Sequence, residues 1–107
     1  MDRLALQELL ESVPGVSEDG KGNKSVYFQP PENIRMTYPA IVYKRSKIYK
    51  KNADDDVHVQ TYSYQVTVID SDPDSSLVQY IAAMPRTRFE NHFVVNGLNH
   101  DIFEIYT

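Results

Sequence analysis

Residues 62–75 constrain the fold more than any other part of the chain, because they predict a strand that leads directly into a helix. Polar side chains alternate there with apolar or aromatic ones at Tyr62, Tyr64, Val66 and Val68. This alternation is typical of a strand that buries one of its faces. The first half of the segment therefore predicts a strand that lines a hydrophobic core.

The second half of the segment predicts the start of a helix. Asp72 can accept hydrogen bonds from the free backbone N–H groups of the next turn, and Pro73 suits the first helical position because its φ is fixed. The negative charge of Asp74 complements the positive end of the helix dipole. The apolar face of this predicted helix consists of Leu77, Val78, Ile81 and Met84.

Apolar spacing predicts another helix near residue 1. Pro14 and Gly15 are expected to end it. Its apolar stripe has the spacing of an amphipathic helix, with Leu4 joining near the start, and consists of Leu6, Leu9, Leu10 and Val13.

The remaining pattern predicts a long hairpin in the middle of the chain. A short strand is expected at residues 26–28 and a longer one at residues 40–51. The polar residues 52–56 are expected to form a turn that connects the longer strand to the strand beginning at Tyr62.

A second hairpin is predicted at the end of the sequence. Residues 88–95 and 100–106 read as strands around a turn at residues 96–99, where Asn-Gly is a strong turn signal. The element order predicts an α+β fold. We expect one domain over residues 1–107, with a single mostly antiparallel or mixed β-sheet of four to five strands covered by two α-helices.

Length and composition exclude several classes of function. A chain of 107 residues builds one modest core and leaves little room for a deep enclosed cavity. The formal charge of -4 disfavours general binding to nucleic acid, and the absence of cysteine excludes disulfides and thiolate sites. No apolar segment is long enough for a membrane span or a secretory leader, so we expect no membrane partner.

Histidines and carboxylates offer the only route to a metal or acid–base site. His92 and His100 flank the last turn and could face each other across it, with Asp101 as a third ligand. Neighbouring strand residues point to opposite faces, however, so His100 and Asp101 cannot readily reach the same ion. We therefore predict no catalytic residue, no metal and no cofactor, and we expect the chain not to be an enzyme.

The charges of the long hairpin are segregated. Five cations lie within residues 44–51, and three aspartates follow at residues 54–56. A solvated edge strand protected by lysine would explain such a run, and a DNA patch is disfavoured because the aspartates would repel phosphate. Copies arranged head to tail could instead place an acidic tip near a basic shaft, which favours a ring. The predicted contact residues are Tyr43, Lys44, Arg45, Lys47, Tyr49, Lys50, Lys51, Asp54, Asp55, Asp56 and Tyr62.

Three parts of the sequence resemble a known family. They are the run Tyr-Pro-Ala-Ile-Val-Tyr at residues 38–43, the strand and cap at residues 64–75, and the ending Asn-Gly-Leu-Asn-His-Asp at residues 96–101 preceded by Arg88 and Phe89. From residue 38 onwards the chain is similar to the tail terminator, or tail completion, proteins of long-tailed bacteriophages. The shared motifs belong to strands, caps and turns.

This resemblance implies a structural virion protein in the neck region of the tail, assembled in the host cytoplasm. Such a subunit forms a ring, usually a hexamer, at the head-proximal end of the tail tube, where it ends tube polymerisation and provides the head–tail joining surface. The implied partners are further copies of itself, the tail tube protein, a head-completion or stopper protein and, if the tail is contractile, the terminal ring of the sheath. Genome DNA would pass through the lumen without specific binding.

Other functions remain open at this point. A head-completion or stopper protein of the same neck would share the ring and would differ only in its partners. A small metal-dependent hydrolase would need His92 and His100 to converge with a carboxylate. A monomeric ligand-binding domain would need an apolar pocket.

Overall fold

The computed structural model describes residues 2–18, 20–32, 34–53 and 56–106, with the backbone alone for residues 50–53 and 56–60. These residues form a single five-stranded mixed sheet and two helices, as an α+β fold requires. In chain order the elements are α1 (Arg3–Glu11), β1 (Val26–Phe28), β2 (Ala40–Ala53), β3 (Asp56–Asp70), α2 (Ser76–Ala82), β4 (Thr87–Val95) and β5 (Leu98–Tyr106). The strand order is β1-β2-β3-β5-β4, and only the β1–β2 pair is parallel.

Helix α1 begins at a side-chain cap and buries one stripe. The Asp2 carboxylate accepts a hydrogen bond from the Ala5 backbone N–H at 2.8 Å, which satisfies one of the free donors of the first turn. Leu6 and Leu10 are fully buried. The prediction that Leu4 joins this stripe is wrong, because two residues correspond to about 200° around a helix and place Leu4 opposite Leu6, with 62% of its surface exposed.

Helix α2 starts later than predicted. Its N-cap is Ser75, whose hydroxyl accepts from the Leu77 backbone N–H at 3.3 Å. The prediction that Asp72 caps the helix is wrong, because Asp72 accepts from the Asp74 N–H two residues ahead and so closes a local turn. The Asp70 carboxylate does the same for the Asp72 N–H. Pro73 therefore lies in the connection before the helix.

One apolar cluster contains residues of both helices and of the sheet. Tyr64, Val66 and Val68 are buried, which confirms the predicted alternation of β3 at these positions, although Ser63 and Ile69 on the opposite face are also buried. Cross-strand partners share a face, so the sheet members of the cluster all lie on one face. The cluster comprises Leu6, Leu10, Val13, Val16, Val26, Ile41, Tyr43, Tyr64, Val66, Val68, Leu77, Ile81, Phe103 and Ile105.

The other face of the sheet carries none of these cluster residues. We call it the open face and define it by Val42, Thr67 and Ile102, which oppose one another across β2, β3 and β5. All three are half-buried.

A two-residue turn sets the register of the last hairpin. Asn96 and Gly97 have φ of 52° and 76°, and Val95 pairs with Leu98. Two consecutive left-handed residues match the twist of a tight hairpin, and glycine adopts this backbone without strain. The turn is shorter than the predicted residues 96–99, because Leu98 and Asn99 already belong to β5.

The β2–β3 hairpin extends beyond the rest of the sheet. Strand β1 pairs with β2 only as far as Tyr43, and β5 pairs with β3 only from Ser63 onwards. Residues 48–53 and 56–62 therefore form a two-stranded extension, which we call the arm. At 3.4 Å per residue, six residue pairs project by about 20 Å. The predicted turn at residues 52–56 is shorter than expected, because Asn52 pairs with Val57 and Ala53 with Asp56.

Candidate interaction surface

The predicted contact residues begin at the base of the arm, where the three tyrosines have different environments. Tyr43 is fully buried, its hydroxyl donates to Gln7 Oε1, and its ring lies 5.0 Å from that of Phe28. Burial raises the pKa of the Tyr43 hydroxyl above its usual value. Tyr43 therefore packs within this subunit and does not present its ring to another one.

The other two tyrosines lie on opposite faces of the arm. The Arg45 guanidinium lies 5.5 Å from the centre of the Tyr62 ring, a distance suited to a cation–π contact. Tyr62 is half-buried beside the core cluster. Tyr49 is 42% exposed, and its ring lies 6.2 Å from that of Tyr106. Among the predicted aromatic contacts, Tyr49 offers the most accessible surface.

The described cations of the arm base are exposed and are divided between the two faces. Lys44 opposes Gln65 and Lys47 opposes Ser63, so both lysines lie on the open face. Arg45 opposes Tyr64 and lies on the core face. A bulge between Arg45 and Lys47 interrupts the simple alternation, and this local break is not visible in the sequence pattern.

Five predicted contact positions lie wholly or partly outside the described residues. Asp54 and Asp55 lie outside the described residues, and the side chains of Lys50, Lys51 and Asp56 also lie outside the described part of the arm. For these five residues the predicted contacts depend on the sequence alone.

A buried carboxylate on the open face was not predicted from the sequence. Glu104 is 6% exposed; its Oε1 accepts from the Ser63 hydroxyl at 2.7 Å, and its Oε2 lies 3.3 Å from an Arg88 guanidinium nitrogen. The Ser63 hydrogen bond lowers the pKa of the Glu104 carboxyl, burial opposes that shift, and Lys47 and Arg88 lower the pKa further. In the sequence, the position of this charged residue between the apolar Phe103 and Ile105 could have indicated a buried carboxylate.

A groove lies on the open face near the base of the arm. Its volume is about 530 Å³. A second hollow of about 420 Å³ adjoins it at Gln65 and Ile102 and reaches Glu90 and Glu104. We call the first hollow the open-face groove; it is lined by Gln29, Pro30, Val42, Tyr43, Lys44, Arg45, Gln65, Thr67, Ile69, Phe93, His100 and Ile102.

The structure separates the two histidines that the metal hypothesis needs to bring together. His92 Nδ1 lies 2.7 Å from Asp101 Oδ1. His100 opposes Phe93, and their rings stack at 4.7 Å with 12° between the planes. The two-residue turn sets a register in which His92 pairs with Asp101 and His100 pairs with Phe93, so the two histidines lie on opposite faces of the sheet. Within the described residues, no three histidine or carboxylate side chains are grouped so that they could hold a metal ion.

No helix in the described part of the chain is long and apolar enough to cross a membrane. Comparisons of this sequence and structure with protein-family models, curated proteins and solved structures give no significant match.

Proposed function

We propose that this chain is a structural subunit of a phage tail, a tail terminator that forms a ring at the head-proximal end of the tail tube. The observation that carries the proposal is the arm, which extends two strands beyond β1 and β5, with no third strand beside them in the described part of the chain. An isolated two-stranded hairpin is at best marginally stable in water. Contact with another subunit would supply the packing that the arm lacks within its own chain.

The charge distribution supports a head-to-tail contact between subunits. Basic residues dominate β2 from Lys44 at the base of the arm to Lys51 in the arm, and three aspartates occupy residues 54–56. A surface that is basic at one end and acidic at the other is complementary to a second copy that is displaced along it. Such a contact uses different patches on the two partners, and it generates a closed ring when the rotation between them closes.

The two faces of the sheet would have different roles in this ring. In this proposal α1 and α2 cover the core face, and the open face remains available for contacts with other subunits. The net charge of -4 would oppose tight binding of DNA that passes through the lumen. No catalytic step or cofactor is needed for this role.

Binding partners separate the terminator from the head-completion alternative, which would use the same ring. We would capture the tagged full-length protein on polymerised tail tube protein, and separately on the portal-side neck complex, both from the same phage genome. A terminator binds the tubes. A head-completion protein binds the neck complex and has no affinity for the tubes.

A charge-reversal pair, with one residue in the arm and one at its base, tests whether the β2–β3 hairpin is the contact surface. The Lys47→Glu, Lys50→Glu double variant should bind tubes more weakly than the native chain. The matched control is Lys21→Glu, Arg35→Glu, which makes the same change in net charge at exposed positions outside the arm. Equal binding by both double variants would contradict a contact through the β2–β3 hairpin.

A further inference from the structure

We propose that the arm of one copy docks in the open-face groove of the next copy. This inference rests on the ring-forming function proposed above, and it adds the receiving site for the arm. Tyr43, Lys44 and Arg45 of the groove were among the contact residues predicted from the sequence, whereas the half of the groove that lies on β3, β4 and β5 was not.

The arm presents apolar surface to solvent on both of its faces. Ile48 is 48% exposed and opposes Tyr62, while Tyr49 is 42% exposed and opposes Thr61. Successive strand residues point to opposite faces, so one side of the arm presents Ile48 and the other presents Tyr49. Burying either side chain in a partner removes apolar area from water, which is favourable.

The groove offers a complementary apolar surface. Val42, Ile69 and Ile102 supply aliphatic side chains, and Phe93 supplies an aromatic ring that is 40% exposed. A volume of about 530 Å³ accepts a few side chains and is too small for a folded domain. A narrow two-stranded ribbon that inserts one aromatic side chain, such as that of Tyr49, together with neighbouring side chains fits this space.

Charge favours a second copy of this chain as the occupant. Lys44 lines the groove, lies on the open face and is exposed. The sequence places Asp54, Asp55 and Asp56 at the far end of the arm. An arm that lies in the groove of another copy can therefore bring its carboxylates toward the Lys44 ammonium group, and this pairing orients the docking.

The contact must form between different copies. The arm continues the same strands, β2 and β3, that form part of the groove, so it projects away from its own groove. The arm and the groove are also different patches, and the resulting contact is heterologous. Repetition of that contact closes a ring or extends a filament.

The absence of cysteine in the native chain allows a direct test by disulfide trapping. One variant carries Thr61→Cys on the arm, and a second carries Thr67→Cys in the groove. Within one copy these positions lie on one strand about 20 Å apart, too far for a disulfide. The matched control pairs Thr61→Cys with Gln79→Cys, an exposed position on α2.

Mixing the arm and groove variants under mild oxidation, alone and in the presence of tail tubes, should give a mixed disulfide dimer at least tenfold above the control pair, on the order expected for a specific contact. A chain that carries both Thr61→Cys and Thr67→Cys should give a covalent ladder. The proposal is overturned if the mixed pair forms no more disulfide than the control pair, both alone and on tubes.

Charge exchange supplies a second readout. A groove variant with Lys44→Asp should reduce trapping roughly threefold, the order expected when one surface pair becomes repulsive. Trapping should return when its partner carries Asp54→Lys, Asp55→Lys and Asp56→Lys. Tube binding without trapping would leave the terminator function in place and reject the groove. Trapping without tube binding would support the groove and reject the terminator.

Discussion

The hydrogen bond between Ser63 and Glu104 allows a quantitative prediction. Both side chains are buried, and the Ser63 hydroxyl donates to the Glu104 carboxylate at 2.7 Å. Replacing Ser63 with alanine removes a donor from a charged acceptor that has little contact with water. Loss of such a bond costs about 1.5–3 kcal/mol, a large fraction of the roughly 5–15 kcal/mol that stabilises a domain.

The loss should depend on pH because only the ionised carboxylate needs the donor strongly. The folded-state pKa of Glu104 lies below its ordinary value of 4.5. Its contribution to stability is therefore fully present above pH 4.5 and is lost as the pH falls through the lower, folded-state pKa. Ser63→Ala should destabilise the chain most near neutral pH and much less under acid conditions.

Urea unfolding followed by far-ultraviolet circular dichroism measures this directly, at neutral pH and again at about pH 3, where most carboxylates are protonated. Glu104→Gln is the companion variant. It retains an acceptor for Ser63 but cannot titrate, so its stability should fall less steeply with acid than that of the native chain. A cost for Ser63→Ala that is equal at both pH values would refute the proposed role of the charge.

Three further substitutions test packing, turn and cap. Phe103→Ala empties a fully buried site of the core and should cost about 3–5 kcal/mol in the free energy of unfolding. Gly97→Ala forces an alanine to a φ of 76° and should cost about 1–2 kcal/mol, whereas Gly20→Ala, where an added methyl group meets no neighbour, should be close to neutral. Ser75→Ala should cost about 0.5–2 kcal/mol through loss of the α2 cap, which is more than Asp72→Ala should cost. The reverse order in urea unfolding would favour Asp72 as the cap, as the sequence predicted.

The parts of the fold that bury a face were predictable from the sequence. Tyr64, Val66 and Val68 alternate as a strand with one buried face must, and Leu6 and Leu10 recur at helical spacing. The start of α2 was not predictable, because an aspartate that closes a local turn and one that caps a helix both accept backbone N–H groups two residues ahead. Only the folded backbone distinguishes them.

The arm and the groove were harder to predict for a different reason. Among the described residues no third strand lies beside residues 48–53, so no alternation of buried apolar side chains is needed there to mark where the strand ends. The groove collects residues from four strands and one loop, and no short sequence pattern records that arrangement. Glu104 was missed because its donor, Ser63, lies on a different strand.

Electron microscopy of tail tubes tests the central claim most directly. Tail tube protein from the same genome would be polymerised, mixed with the native chain, and imaged in negative stain. The terminator account predicts a ring at one end of each tube and none at the other, with tubes that no longer grow when more subunits are added. Bare ends and continued growth would contradict the account.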